Sequence, residues 1–268
     1  MRENIVQAKR IVIKVGTSTL THENGKIHLA RVDKLSEVLS DLMNQGLEVI
    51  LVTSGAVGVG MNKLKLSSRP KTIRERQAAA AVGQSELMHL YSKFFSEYGH
   101  IVGQILLTKD VVEHNYSRQN VINTFETLLE KGIVPIVNEN DSVSTEELEL
   151  SDNHSFGDND TLSAIVSTLI KADLLILLSD IDGFYNDDPN LNKDAYIIHE
   201  VHEITSDVQS SAKGVISNKG TGGMSTKINA AKICMEKNIP MIIAHGKNPQ
   251  ILYPILKGEH IGTLFERK

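Results

Sequence analysis

Short apolar runs alternate along the chain with longer segments whose apolar residues recur every three or four positions. The runs predict strands and the recurrences predict amphipathic helices. Arg10–Val15 (RIVIKV) is rich in β-branched residues and reads as a strand. Val32, Leu35, Leu39, Leu42 and Met43 then put one apolar face on a helix over Leu29–Gln45, stopped by Gly46. Leu47–Val52 is the next strand. Pro70–Tyr98 is mostly helical, with an alanine run at Ala78–Ala81 and a break expected near Gly83. Ile101–Leu107 is strand-like, Ser117–Lys131 is helical and closes at Gly132, and Ile133–Val137 is a strand in which Pro135 is awkward if the strand is central. Thr161–Lys171 is a helix. Leu174–Leu178 (LLILL) is continuously apolar, as a strand buried on both faces must be. A helix over Ser225–Lys237, a short strand at Met241–Ala244 and a short helix at Gln250–Leu256 complete the pattern.

This alternation predicts an α/β fold with a mainly parallel sheet and helices on both faces. In such sheets ligands bind beyond the carboxyl ends of the strands. The chain has 268 residues and shows no internal repeat or Pro/Gly-rich linker, so one domain over 1–268 is expected.

Composition narrows the function classes. Only 4% of residues are aromatic and none is Trp, so the core must be aliphatic. The formal net charge of -5 argues against a nucleic-acid partner. The one cysteine, Cys234, excludes a disulfide framework within the chain and fits a reducing compartment. Lys14 interrupts the first apolar run, so no signal peptide is read there, and no stretch approaches the roughly 18 apolar residues of a membrane helix. A cytoplasmic protein without a membrane partner is expected.

Several polar segments follow predicted strands or open predicted helices. In Lys14–Thr21 (KVGTSTLT) a lysine ends a buried strand, which is costly unless its charge is used, and Gly16 would let a ligand approach the backbone. A snorkelling lysine above an ordinary turn explains the same residues. Thr53–Gly60 (TSGAVGVG) does not fit the GxGxxG spacing of a dinucleotide site. Its Ser-Gly-Ala turn offers backbone N–H groups to an anion, or is simply a tight strand-to-helix connection. Asn138–Ser142 (NENDS) could bind an ammonium group or be a solvated loop. In Phe156–Asp160 (FGDND), Asp160 is placed as a helix N-cap, which does not explain why Asp158, Asn159 and Asp160 come together; such a cluster could orient lysines, bind a substrate amine or ligate Mg²⁺ through water.

Lys219–Lys227 (KGTGGMSTK) carries the strongest signal. Its glycines, hydroxyls and lysine at a helix start form an anion cradle. Lys227 follows Ser-Thr instead of preceding it, so the loop is not a Walker A motif. A lysine in a first helical turn also opposes the macrodipole, the kind of broken local rule that marks functional sites. Ser179–Pro189 (SDIDGFYNDDP) is turn-rich and lies where a nucleotide base or ribose would sit; it lacks the spacing of a calcium loop. The ten histidines contain no metal-site pair, and His114, His154 and His199 read as surface or loop residues.

Taken in order, IVIKVGTSTLT, VTSGAVGVG, NENDSV, FGDND, LLSDIDGFYNDDP and GTGGMSTK resemble the amino acid kinase family, most closely its members that phosphorylate the side-chain carboxylate of glutamate in proline biosynthesis. The resemblance covers essentially the whole chain. It implies an αβα sandwich with the acceptor on the N-terminal side and ATP on the C-terminal side, from about residue 160. By position, Lys14 and Lys227 would contact the transferring phosphoryl group and Asp160 would hold them. Ser54, Asp141 and Asn159 would bind L-glutamate, with Gly55, Ala56 and Asp158 lining that pocket. Lys14, Gly16, Ser179 and Asp180 would bind ATP, together with Thr221, Gly222, Gly223, Met224, Ser225, Thr226 and Lys227. The resemblance further implies Mg²⁺ as cofactor, no metal-ligating side-chain set, a homodimer or homotetramer, and feedback inhibition by proline.

Two departures accompany it. Many members carry a C-terminal RNA-binding-like module, and these 268 residues are expected to form the kinase unit alone. The stretch 145–155 is also longer than the resemblance leads one to expect, which bears on the glutamate loop and on proline. A different acceptor within the same family, or a non-catalytic nucleotide- or amino-acid-sensing module, are the competing readings.

Overall fold

A computed structural model describes residues 2–22, 24–143, 158–189, 191–206, 208–209 and 223–268. The stretch 145–155 lies outside the described residues. Eight strands form one sheet in the order β3 (Val102–Leu107), β4 (Val134–Glu139), β2 (Glu48–Val52), β1 (Arg10–Val15), β5 (Leu174–Ser179), β9 (Met241–His245), β10 (Thr263–Phe265) and β8 (Glu200–Val201). β3 to β9 pair parallel; β10 runs antiparallel to β9 and parallel to β8. A small hairpin, β6 (Phe184–Tyr185) with β7 (Ile197–Ile198), stands apart from the sheet.

The helices bounded by described residues are α1 (Glu3–Val6), α2 (Thr17–Leu20), α3 (Leu29–Asn44), α4 (Ala56–Lys63), α5 (Ile73–Glu97), α6 (Lys109–Glu113), α7 (Asn115–Glu130), α8 (Asn159–Leu169), α9 (Met224–Glu236) and α10 (Leu252–Leu256). Strand alternation sorts the core into two layers. Val12 of β1, Ile50 and Val52 of β2 and Leu175 and Leu177 of β5 pack toward α7, α8 and α9. Ile11, Ile13, Val49, Leu51, Leu174 and Ile176 pack toward α3, α4, α5 and α10. This is the expected αβα sandwich. Lys14 has the parity of Val12, so its side chain belongs to the layer of α8 and α9.

Three details refine the sequence reading, and the first of them overturns an expected break. α5 runs unbroken through Gly83. That glycine is spent on packing: a Cβ there would lie 1.8 Å from the carbonyl oxygen of Ala56 and 2.5 Å from the nitrogen of Gly60. Gly60 is its counterpart, with a built Cβ 1.8 Å from the Ala79 carbonyl oxygen. The segment around Gly58 and Gly60 is therefore helix α4 pressed on α5, while the turn is confined to Gly55, whose φ is 94°. Pro135 does sit in a central strand, yet the ladder to β2 begins at Ile136, so its missing N–H costs no sheet bond. Among the described residues no helix is long and apolar enough to cross a membrane.

Candidate active site

β1 delivers Lys14 to the carboxyl end of the sheet, at the switch point between β2 and β5. α8 brings Asp160 and α9 brings Lys227 to the same place. Lys14 Nζ is 2.5 Å from Asp160 Oδ1, and Lys227 Nζ is 3.1 Å from Asp160 Oδ2. One carboxylate thus bridges two ammonium groups from distant parts of the chain. All three residues are nearly buried, with exposures of 9% for Lys14, 6% for Lys227 and 1% for Asp160. Thr226 Oγ1 lies 2.9 Å from Asp160 Oδ2 and 2.8 Å from the Gly223 carbonyl oxygen, and shares its one proton between them. Burial alone would raise the Asp160 pKa, but the charges of Lys14 and Lys227 outweigh it and hold the carboxyl at about 2. The triad keeps one net positive charge in a place where water is scarce, which is what an anionic ligand needs.

The start of α8 corrects one expectation. Asp158, not Asp160, is the N-cap: its Oδ1 accepts from the backbone N–H groups of Asp160 and Thr161, at 2.7 and 2.9 Å. Both aspartates suit a cap by chemistry. The backbone is extended at Asp158 and helical from Asn159 onward, which leaves the Asp160 carboxylate for the lysines. Burial, and then the nearby Asp160 charge, push the Asp158 carboxyl above its ordinary range.

Asn159, between the two aspartates, ties α8 to two strand ends. Its Nδ2 lies 2.6 Å from the Thr53 carbonyl oxygen, 2.8 Å from Asn138 Oδ1 and 3.1 Å from Ser54 Oγ. Ser54 Oγ donates to the Val15 carbonyl oxygen at 3.2 Å. Ser54 and Asn159 therefore lie together with the lysine cluster at the carboxyl ends of β1 and β2. Gly55 and Ala56 follow at the foot of α4; Ala56 is buried in the core, so only its backbone can face a ligand. Asp141 is half-buried in the turn after β4.

On the other side of β1, Ser179 ends β5 and its Oγ donates to Asp180 Oδ1 at 3.0 Å. Gly223 is the N-cap of α9 and has no side chain with which to cap the first N–H groups of that helix. Met224 is packed into the core, so its expected ATP contact is limited to backbone. Ser225 is exposed and Thr226 half-buried in the first turn. Thr221 and Gly222 lie outside the described residues. Gly16 has φ of -83°, and a Cβ there would sit 3.6 Å from Lys14 Nζ, an ordinary contact. Among the described residues nothing crowds a side chain at 16.

Sequence reading marked Asn138 and Thr53 within candidate segments but missed their partners on α5, Gln84 and Tyr91. Asn138 and Gln84 are 1% and 8% exposed, and Asn138 Nδ2 donates to Gln84 Oε1 at 2.8 Å. The Thr53 and Tyr91 hydroxyls are 2.8 Å apart in the core. Gln84 and Tyr91 stand on α5 among alanines and leucines, where one glutamine in an amphipathic helix carries no local signal. Among the described residues no three His, Cys, Asp or Glu side chains are grouped to hold a metal ion.

The sequence matches the amino acid kinase family over residues 9–245. It is 59% identical over 268 residues to a glutamate 5-kinase of Clostridium perfringens, covering 100% of this chain and 99% of that one. It is 58% identical over 268 residues to the glutamate 5-kinase of Listeria monocytogenes serovar 1/2a, covering 100% and 96%. Among solved structures, a carbamate kinase from Giardia lamblia bound to AMP-PNP superposes with a TM-score of 0.69 at 14% identity, over 98% of this chain and 100% of that one. That likeness speaks to the fold; the sequence matches speak to the lineage, and by them this chain belongs to the amino acid kinase family.

Proposed function

We propose that this chain transfers the γ-phosphoryl group of ATP to the side-chain carboxylate of L-glutamate, giving glutamyl 5-phosphate and ADP. The observation that carries the reading is the meeting of Lys14 and Lys227 on Asp160, in a chain 59% identical to a glutamate 5-kinase. Glutamate's carboxyl has a reference pKa of about 4.3, so the nucleophile is already ionised at neutral pH and no general base is required. Its oxygen forms a bond to the γ-phosphorus while the bond to the β,γ-bridging oxygen breaks and its electrons leave with ADP. The obstacle is repulsion between two anions, and phosphoryl transfer is catalysed mainly by positioning and charge neutralisation. Lys14 and Lys227 supply the positive charge, and Asp160 holds both ammonium groups in place before substrate arrives. The first N–H groups of α9 cradle phosphate oxygens. Ser54, Asn159 and Asp141 hold the amino acid, with Gly55, Ala56 and Asp158 around it; Ser179, Asp180 and Gly16 lie on the nucleotide side.

Asp160 is already engaged by Lys14 and Lys227, and among the described residues no three His, Cys, Asp or Glu side chains are grouped to hold a metal ion. The residues therefore fit Mg²⁺ as an ion carried in on the ATP phosphates, where it would screen their charge. A cytoplasmic location, a homodimeric or homotetrameric assembly and inhibition by proline belong to the same reading.

The test is hydroxylamine trapping with ATP, Mg²⁺ and a panel of glutamate, aspartate, N-acetylglutamate and carbamate. Glutamyl hydroxamate is the expected product; ADP release with another acceptor and none with glutamate rejects the proposal. Lys14→Ala and Lys227→Ala should each lower kcat by about 100-fold or more, as loss of a preorganised charge does. A variant with unchanged kcat removes that lysine from the reaction. Asp141→Ala should chiefly raise the KM for glutamate.

A further inference from the structure

Asn159 has two amide hydrogens and three protein acceptors around its nitrogen. With Nδ2 committed to the protein, Oδ1 is the half of the amide left for a ligand, and among the described residues no donor reaches it. An oxygen presented there suits a positively charged donor such as an amino acid's α-ammonium group. What fixes that orientation is a pair of buried side chains. Asn138 offers Oδ1 to Asn159 Nδ2 at 2.8 Å, and Asn138 is itself oriented at both ends. Its Oδ1 accepts from the Glu139 backbone N–H at 2.9 Å, and its Nδ2 donates to Gln84 Oε1 at 2.8 Å.

Gln84 is an odd residue for its place. It is 8% exposed and sits beside Gly83, where α5 presses on the start of α4 at Ala56. Among the described residues its buried Nε2 has no hydrogen-bond partner. A buried donor left unpaired weakens the fold, and an apolar side chain of the same length would fit the helix interface. The one interaction Gln84 makes that an apolar residue could not make is the acceptor for Asn138.

We propose that Gln84 is a positioning residue for the amino-acid acceptor: through Asn138 it holds the Asn159 amide with its oxygen turned toward the substrate's α-ammonium group. The proposal rests on the glutamate-kinase reading above. Gln84→Met removes one orphan, Gln84 Nε2, and creates another, Asn138 Nδ2. Thermal stability should stay close to wild type for that reason. The KM for glutamate should rise about tenfold, the loss of one well-aligned hydrogen bond to a charged group, while the KM for ATP stays within about twofold. Glutarate lacks the ammonium group, so its Ki as a competitive inhibitor should not follow the glutamate KM upward. Should Gln84→Met fail to fold, Gln84→Leu and Gln84→Glu serve instead; the glutamate side chain keeps an acceptor for Asn138 and should leave the KM nearer wild type than leucine does. An unmoved glutamate KM in a competent enzyme overturns the role of Gln84 alone. So does an equal rise in both KM values. A wild-type protein that forms no glutamyl hydroxamate overturns the functional reading and this inference with it.

Discussion

Asp160 is the residue on which the site turns, and its chemistry has a consequence for folding. Its carboxyl is held at about 2, against an ordinary 3.8, because burial is outweighed by Lys14 and Lys227. A carboxyl depressed in the folded state contributes stability above its unfolded pKa and loses it as the pH falls toward the folded value. At about 1.4 kcal/mol per pH unit, the contribution is roughly 2 kcal/mol, present above pH 4 and fading between about pH 4 and 2. Denaturant titrations of wild type and Asp160→Asn should therefore show a stability gap at pH 7 that narrows across that window. A gap independent of pH contradicts the charge assignment. Asp158 works in the opposite sense: its raised carboxyl favours the folded state at low pH and costs stability as the pH rises.

At the scale of elements, the pairing of α4 with α5 shapes the floor beneath the amino-acid side. Gly60 and Gly83 let the two backbones meet, each with a built Cβ 1.8 Å from a carbonyl oxygen of the other helix. Backbone cannot swing aside as a side chain can. Gly83→Ala should cost about 1–3 kcal/mol as overpacking and lower Tm by several degrees. Gly58 is the control, because a Cβ there meets nothing within 4 Å. Gly58→Ala should stabilise by about 0.5–1 kcal/mol through better helix propensity. Differential scanning calorimetry of the two variants reads both signs.

Across the whole molecule, the two ends of the sheet do different work. Every proposed substrate contact lies at the carboxyl ends of β1, β2, β4 and β5 or at the helix starts beside them. At the opposite end Arg10 clamps the start of β1 to its surroundings. It meets Glu48 of β2 at 2.6 Å, Glu126 of α7 at 2.6 Å and the Ile170 carbonyl oxygen at 2.7 Å. The two glutamates are about 40% exposed, so water screens these ion pairs and only a modest contribution remains. Arg10→Ala should cost about 1–2 kcal/mol, partly by stranding the carbonyl of Ile170, and lower Tm by about 2–8 °C. Its kcat and both KM values at 25 °C should match wild type. A kinetic defect would show that the two ends of the sheet are coupled.

The alternation of apolar runs with helical spacing was enough to foresee a mainly parallel sheet covered on both faces, because those periods are imposed by local geometry. It also marked loops at strand ends, and the two lysines stood out because a charge at a buried strand end, or in a first helical turn, conflicts with local rules. Local rules could not say which helix would cover Lys14. Strand parity gives a residue its face, but the long-range path of the chain decides what lies over that face. Nor could they separate Asp158 from Asp160, since either carboxylate makes a good cap; one backbone turn decided it. Gly83 reads as a helix breaker until a second helix is found within 2 Å of where its side chain would begin. Gln84 is silent in sequence because a buried acceptor has meaning only through Asn138, a neighbour that folding alone supplies.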